Sequence, residues 1–169
     1  MRVRSIDSAA KFLTVKRSKT GLGVFANREF KAGRRIIELI GKLITCNADE
    51  DLDENTRNNA IRFDKKYYIS PNGKVGDYFN HSCDPNSYIV KSLGKLYLVA
   101  CRDIKDGEEI TFDYSTITAP DDIWEMKCHC QNKNCRKSIK SFDKLSKKLR
   151  DDYLSRKMIP SYIYRITNK

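Results

Sequence analysis

Residues 80–86 of this chain read NHSCDPN, and this stretch decides the fold and the site more than any other. It is dense in polar groups, although Tyr78 and Phe79 precede it and the run Tyr-Ile-Val at residues 88–90 follows it. Buried amides and imidazoles need hydrogen-bond partners, because an unpaired polar group in the interior costs free energy. The stretch therefore predicts a binding site in which a ligand, a metal ion or backbone groups pair with these side chains.

Three cysteines form a second cluster, with the pattern CxCxxxxC, at Cys128, Cys130 and Cys135. Thiolates at this spacing can reach one tetrahedral ion, so the pattern predicts a structural zinc site. Cys83 or His129 could supply the fourth ligand. A side chain between two ligands tends to point away from the side that they share, which favours Cys83 over His129.

Two other segments are weak indicators when each is taken alone. Gly21, Leu22 and Gly23 follow a predicted strand, and the two glycines permit a ligand to approach the backbone closely. A tight turn explains the same pattern. The segment EEITFDY at residues 108–114 ends a predicted strand with Tyr114, where a tyrosine serves packing more often than catalysis.

The hydrophobic pattern predicts a mainly β body. Short apolar runs alternate with Gly and Pro turns; residues 95–101 form the clearest strand, and residues 62–70 read as a hairpin. Many short strands without intervening helices argue against a Rossmann sheet. After residue 140 one amphipathic helix is predicted, with Ser141 as its N-cap and its end at residues 158–160. Its apolar positions at helical spacing are Phe142, Leu145, Leu149 and Tyr153.

The composition is that of a globular protein, with 33% charged and 40% hydrophobic residues. No stretch approaches the ~20 apolar residues of a membrane span, and the N-terminus lacks the apolar core of a signal peptide. We therefore expect an intracellular protein without a membrane partner. The net charge is +11, and from Arg136 onward eleven basic residues face three acidic ones. Such a tail can contact nucleic acid or an acidic partner, although a solvated helix face gives the same pattern.

Four segments, taken in order, resemble the SET domain of protein lysine methyltransferases with a post-SET zinc cluster. They are GxG at residues 21–23, NHSCDPN at 80–86, GEEITFDY at 107–114 and CxCxxxxC at 128–135. The resemblance covers residues 12–136, and residues 138–163 are similar to C-terminal extensions of small stand-alone SET proteins in bacteria and archaea. It implies a β-clip fold of short curved sheets, with a knot-like C-terminal crossing that brings Asn80 beside Tyr114.

The resemblance also divides the chain into three parts. Residues 12–116 are the implied SET domain, residues 117–137 the post-SET zinc-binding segment, and residues 138–169 a basic helical extension. Cys83 becomes the fourth ligand of a structural zinc ion. The other three ligands are Cys128, Cys130 and Cys135. A chromatin-associated or nuclear location is implied for a eukaryotic source.

In the SET family the cofactor is S-adenosylmethionine. Asn80 is implied to bind its amino-acid end, and His81 its adenine, partly through main-chain groups. The complete implied cofactor site is Gly21, Leu22, Gly23, Asn80, His81 and Tyr114. Tyr114 matches the near-invariant active-site tyrosine of the family. Phe112 matches a position where Tyr tends to restrict the product to one methyl group, so that Phe leaves room for two or three.

The implied function is transfer of methyl groups to the ε-amine of a lysine in a histone or another basic, chromatin-like protein. The short acidic insert at residues 45–65 suits a basic substrate. Two positions depart from the family pattern. Asp77 stands where an arginine is common, three residues before Asn80, and the channel tyrosine has several candidate matches. These are Ile61, Tyr67 and Tyr68.

Two other functions are consistent with part of the sequence. A catalytically inactive SET module would bind a protein or nucleic acid, but the joint presence of Asn80, His81 and Tyr114 argues against it. A zinc-containing nucleic-acid-binding protein would explain the basic tail and the cysteines. It leaves residues 80–86 and residues 21–23 unexplained.

Overall fold

The computed structural model describes residues 10–45, 58–122 and 124–167. Within these ranges the strands are short and the sheets small, which confirms the predicted mainly β fold. The strands are β1 (Leu13–Ser18), β2 (Gly21–Ala26), β3 (Arg35–Leu39), β4 (Lys42–Thr45), β5 (Ile61–Arg62), β6 (Tyr67–Ser70), β7 (Asn80–His81), β8 (Ser87–Ser92), β9 (Lys95–Ala100), β10 (Thr111–Phe112), β11 (Met126–Lys127) and β12 (Ser138–Ile139). No helix of the described residues is long and apolar enough to cross a bilayer.

The largest sheet has the order β3-β9-β8-β10-β7 and holds the centre of the core. β8 and β9 form an antiparallel hairpin, and its inward side chains Ile89, Leu96 and Leu98 are fully buried. β10 runs parallel to both of its neighbours, β7 and β8. Parallel pairing of β7 with β10 places Asn80 opposite Thr111. The ends of two segments distant in sequence therefore lie side by side.

The hairpin of β1 and β2 lies at one edge of this arrangement. Its register pairs Ser18 with Gly21 across a two-residue turn. Gly21 has φ +117°, a backbone conformation that side chains other than glycine rarely adopt. An isolated antiparallel bridge between Phe25 and Glu109 joins β2 to the segment before β10. This bridge brings residues 21–23 toward β7.

The predicted hairpin at residues 62–70 is confirmed in a three-stranded sheet of order β4-β6-β5. The chain bends between β3 and β4 at Gly41. A Cβ atom there would lie 2.0 Å from the Ser70 carbonyl oxygen, so the close approach requires glycine. Most of the acidic insert, residues 46–57, lies outside the described residues.

A buried arginine connects this small sheet to the rest of the chain. The Arg62 side chain is 2% exposed and pairs with Asp122 at 2.7 Å and with Asp121 at 2.8 Å. The hydroxyl of Tyr68 also donates to Asp122, and that of Tyr162 donates to the Arg62 carbonyl. The network holds β5 and β6 against the segment that follows the large sheet and against the C-terminus.

The C-terminal part contains two α-helices, α1 (Lys147–Ser155) and α2 (Ser161–Thr167). The predicted C-terminal helix is confirmed, but its predicted start at Ser141 is wrong, and a second helix follows it. Ser141 precedes only a short 3₁₀ turn, and Leu145 is extended with ψ 154°, which ends that turn. Ser146 is the true N-cap, because its hydroxyl accepts the Leu149 N–H at 3.4 Å. Of the four apolar positions, Phe142, Leu145 and Tyr153 are buried and Leu149 is partly buried.

Candidate active site and metal centre

The hydroxyl of Tyr114 lies at the end of β10, against the segment that leads into β7. It donates a 2.7 Å hydrogen bond to the Phe79 carbonyl. The rings of Phe112 and Trp124 lie 4.9 and 6.1 Å from the Tyr114 ring. Burial, with a smaller contribution from the negative charge of Glu109, raises the pKa of Tyr114. The hydroxyl is therefore a neutral hydrogen-bond donor in an aromatic setting.

Asn80 and the glycine-rich segment are in direct contact. The Asn80 side-chain amide donates to the Leu22 carbonyl at 2.9 Å and to Glu109 Oε1 at 2.8 Å. The other carboxylate oxygen of Glu109 accepts from the Ser18 hydroxyl at 2.7 Å. A Cβ atom on Gly23 would lie 2.3 Å from Glu109 Oε1 and 2.8 Å from Asn80 Nδ2, so a side chain here would displace both groups. Two of the predicted segments thus form one surface, with Glu109 at its centre.

Glu109 and Trp124 are site residues that sequence reasoning missed. Glu109 follows Glu108 in a charged turn, and nothing local distinguishes the two carboxylates. Trp124 is the only tryptophan of the chain, and a single aromatic residue has no periodicity to interpret. Its position four residues before Cys128 was the available indication that it belongs to the post-SET segment.

The His81 imidazole is buried, with 5% of its side chain exposed. Its Nδ1 accepts the Tyr114 backbone N–H at 3.2 Å, and its Nε2 lies 3.3 Å from Cys83 Sγ. Burial is the main cause that lowers the pKa of His81 to about 4, so the ring is neutral. A neutral imidazole has one acceptor and one donor nitrogen. Because Nδ1 accepts, Nε2 carries the proton and donates to the Cys83 sulfur.

Four ligand-type side chains have their donor atoms within 4.8 Å of one another: His81, Cys83, Cys128 and Cys130. This set holds three of the four predicted zinc ligands, with His81 in place of Cys135. The thiol of Cys135 interacts with those of Cys128 and Cys130, and it lies 3.8 Å from the Cys128 carbonyl oxygen. His129 is exposed and lies outside the set. This agrees with the expectation that a side chain between two ligands points away from the side that they share.

The tautomer of His81 decides between it and Cys135. A metal ion would need the lone pair of His81 Nε2, but that nitrogen carries the proton. The set Cys83, Cys128, Cys130 and Cys135 therefore stays a prediction, in which His81 would be a hydrogen-bond donor to Cys83. Donors of this kind orient ligands in metal sites.

The thiols of the cluster differ in their pKa values, and a guanidinium lies beside them. Burial raises the pKa of Cys83 to about 11 and raises that of Cys128 as well. Burial opposes ionisation of Cys130 too, but hydrogen bonds from neighbouring N–H groups and thiols outweigh it and lower its pKa to about 7. Arg136 donates its backbone N–H to Cys83 Sγ at 3.4 Å. Its buried Nε and Nη1 have no partner among the described residues. A tetrathiolate zinc centre is anionic and would stabilise this guanidinium.

The family model of the SET domain matches residues 21–115, more than half of the chain. The chain belongs to the SET domain family. The match includes the surface formed by residues 21–23 and Asn80, and it ends one residue after Tyr114.

Curated relatives of the SET domain cover similar parts of this chain. This chain is 32% identical over 145 residues to the variant-silencing SET domain-containing protein of Plasmodium falciparum. The aligned part covers 76% of this chain and 6% of that protein. This chain is 28% identical over 144 residues to histone-lysine N-methyltransferase ASHH3 of Arabidopsis thaliana, covering 76% and 38% of the two chains. The H3 lysine-36 specific histone-lysine N-methyltransferase of Kluyveromyces lactis is 31% identical over 139 residues, with 71% and 18% covered. The chain therefore spans less than two fifths of each relative.

Solved SET structures have the same fold. The crystal structure of KRYPTONITE in complex with mCHG DNA and SAH superposes with a TM-score of 0.61 at 29% identity, covering 76% of this chain and 29% of that one. A second KRYPTONITE structure, with mCHH DNA, an H3(1-15) peptide and SAH, gives a TM-score of 0.59 at 28% identity, with the same two shares covered. The predicted fold class and family are confirmed. The individual roles of the site residues stay predictions.

Proposed function

We propose that this protein is an S-adenosylmethionine-dependent protein-lysine N-methyltransferase. The observation that carries the proposal is the position of the Tyr114 hydroxyl, which β10 places beside the β7 strand that begins with Asn80. Relatives named histone-lysine N-methyltransferases and SET structures solved with SAH, the product form of this cofactor, support it. An inactive SET module would have no need for a neutral tyrosine hydroxyl in an aromatic pocket.

The cofactor site is proposed on the surface formed by β2 and β7. When bound, S-adenosylmethionine supplies an electrophilic methyl group on a positively charged sulfur. Gly21 and Leu22 are exposed and offer backbone hydrogen-bonding groups, whereas Gly23 is buried against Glu109. Asn80 is held in place by the Leu22 carbonyl and Glu109. Both ring nitrogens of His81 already have partners, the Tyr114 N–H and the Cys83 sulfur, so the main-chain groups of His81 are proposed to contact the adenine.

The lysine site is proposed between Tyr114, Phe112 and Trp124. A lysine with its ordinary pKa pays about 4.6 kcal/mol to lose its proton at pH 7. Aromatic walls disfavour the ammonium form and lower that pKa, because burial penalises charge. The neutral Tyr114 hydroxyl orients the reacting groups, and alignment of this kind can lower a barrier by several kcal/mol. Phe112 lacks a hydroxyl that would fill the site, so two or three methyl groups are expected.

The zinc ion is proposed as a structural centre. Cys83 lies between the cofactor strand and the post-SET segment, so a metal on Cys83, Cys128, Cys130 and Cys135 would fix Trp124 against Tyr114. We place the SET domain at residues 12–116 and the zinc segment at 117–137.

The protein substrate is proposed to be basic and chromatin-like. The acidic insert offers charge complementarity, although most of it lies outside the described residues. The net +8 charge from Arg136 onward is proposed to contact nucleic acid, in agreement with the DNA in the KRYPTONITE complexes. A chromatin location follows for a eukaryotic source.

The test is incubation of the purified protein with S-adenosylmethionine and full-length histone H3, followed by mass spectrometry of its lysine-containing peptides. We expect mass increases of one to three methyl groups on a defined lysine. A matched reaction with Tyr164→Phe, which changes an exposed tyrosine of α2 outside the site, should give the same product. Histone H3 that stays unmodified in the reaction with the wild-type protein would overturn the proposal.

A further inference from the structure

Tyr153 connects the C-terminal extension to the active site. It lies on α1, beyond the residues that match the SET domain, and is 2% exposed. Its hydroxyl donates a 2.8 Å hydrogen bond to Asp113 Oδ2. Asp113 is the residue directly before Tyr114, so a side chain of the extension contacts the backbone neighbour of the proposed catalytic tyrosine.

Asp113 is a buried carboxylate, 1% exposed, with its two oxygens engaged on different sides. Oδ1 accepts from Arg136 Nη2 at 2.7 Å and from the Ser115 N–H at 3.0 Å. Oδ2 receives the Tyr153 hydroxyl. The contact with Ser115 caps the short 3₁₀ turn that begins at Tyr114. The carboxylate therefore fixes the backbone on which Tyr114 stands.

The same carboxylate lies close to β7, the strand of the proposed cofactor site, and is connected to the thiol cluster through Arg136. Asp113 Oδ1 lies 3.5 Å from His81 Nδ1, the atom that accepts the Tyr114 N–H. Arg136, its ion-pair partner, follows Cys135 and donates its backbone N–H to Cys83. A displacement of the carboxylate would therefore change the positions of Tyr114, of β7 and of the proposed zinc ligands together.

We propose that Tyr153 is a positioning residue of the active site, and that the C-terminal helical extension completes that site through its hydrogen bond to Asp113. The inference rests on the proposed function. It assigns the extension a role in catalysis in addition to covering the core. Loss of the hydroxyl leaves Oδ2 of a buried carboxylate without this donor. The carboxylate then moves toward Arg136, or a water molecule takes the place of the hydroxyl.

The experiment compares Tyr153→Phe with Tyr162→Phe in the full chain. Tyr162 is a matched control, since it is a buried tyrosine of the same extension whose hydroxyl bonds the Arg62 carbonyl and not Asp113. Calorimetric titration with S-adenosylmethionine measures cofactor affinity, a chromophoric chelator measures the rate of zinc release, and thermal unfolding measures stability. We expect both variants to lose similar stability.

Tyr153→Phe should weaken cofactor binding about tenfold, the factor expected for a lost hydrogen bond to a buried charged group, and speed zinc release. Tyr162→Phe should keep wild-type values for both. In an Asp113→Asn background, the effect of Tyr153→Phe on cofactor affinity should largely disappear, because the two residues act as one unit.

Equal cofactor affinities of Tyr153→Phe and Tyr162→Phe, or additive effects of Tyr153→Phe and Asp113→Asn, would overturn the inference while the wild-type protein still binds S-adenosylmethionine. Absence of cofactor binding by the wild type is a different result, and it would refute the proposed function itself.

Discussion

The hydroxyl of Tyr114 donates to the carbonyl oxygen of Phe79 at 2.7 Å, one residue before Asn80. The two residues are far apart in sequence and meet because β10 inserts between β7 and β8 and runs parallel to both. The bond fixes the hydroxyl at the junction of the proposed cofactor and lysine sites. It also gives that hydroxyl a partner in the absence of ligands.

Replacement of Tyr114 by Phe should reduce turnover at least about 100-fold, the usual cost of removing one oriented donor from a transition state. The fold should persist, because a single lost hydrogen bond costs only about 1 kcal/mol. Steady-state kinetics and thermal unfolding of the same preparation check both statements. Turnover close to wild type would remove Tyr114 from its proposed role.

Phe112 should control the number of methyl groups added. Its ring packs 4.9 Å from that of Tyr114, so a hydroxyl added by Phe112→Tyr would enter the proposed lysine site. We expect the variant to accumulate monomethyl-lysine where the wild type proceeds to di- or trimethyl-lysine. Mass spectrometry over a time course distinguishes the products. An unchanged product distribution would show that a hydroxyl at this position does not limit the number of methyl groups added.

The proposed zinc centre should couple to the cofactor site through Cys83. Elemental analysis should find about one zinc ion per chain, as a four-cysteine structural site binds. Cys83→Ser should lose that zinc and bind S-adenosylmethionine more weakly. Cys101→Ser is the control, because Cys101 is a partly buried thiol that donates to the Pro85 carbonyl and lies outside the cluster. Zinc-free wild-type protein would disprove the four-cysteine assignment.

The choice of Cys135 over His81 as a ligand has its own test. Cys135→Ser should lower the zinc content, whereas His81→Gln should retain the metal, since an amide can still donate to the Cys83 sulfur. Zinc lost in His81→Gln but kept in Cys135→Ser would reverse the assignment.

The dependence of catalysis on pH should show no loss of activity from ionisation of Tyr114 near pH 10. Burial raises the pKa of Tyr114, and a raised pKa in an acid preserves the neutral form to higher pH. Activity should therefore rise with pH as the substrate lysine loses its proton. The measurement is kcat/KM from pH 7 to about 10, where free tyrosine begins to ionise, with circular dichroism to confirm folding. A decline in kcat/KM within that range, with the fold intact by circular dichroism, would contradict the expectation.

Arg62 should contribute much more to stability than an exposed ion pair. Arg62→Ala would leave the Asp122 carboxylate, 6% exposed, without its cation. Removing one partner of a buried pair costs roughly 3–5 kcal/mol. Lys95→Ala removes a pair with Glu38 in which the side chains are 54% and 33% exposed, and should cost at most about 1 kcal/mol. Urea unfolding measures both, and equal losses would contradict the role assigned to burial.

The features that could be predicted from sequence were local ones. The polar stretch at residues 80–86 and the spacing of Cys128, Cys130 and Cys135 are dense patterns with a chemical meaning. The hairpin at residues 62–70 followed from alternation and turn residues. These patterns were sufficient for the fold class and for most of the proposed metal ligands.

The rest depends on contacts between residues far apart in the chain. Glu109 bonds Ser18, and Tyr153 bonds Asp113, and neither pair leaves a local pattern. The start of the helix was misplaced because Ser141 and Ser146 both suit an N-cap. The extended backbone of Leu145 decided between them, and tertiary packing sets that conformation.

The most direct test of the central claim is calorimetric titration of the zinc-containing protein with S-adenosylmethionine, followed by methyl transfer to histone H3 in the same preparation. We expect saturable binding at one site per chain, loss of that binding in Asn80→Ala, and methylated lysine in the product. A protein that is folded and zinc-loaded but neither binds the cofactor nor methylates a basic substrate would contradict it.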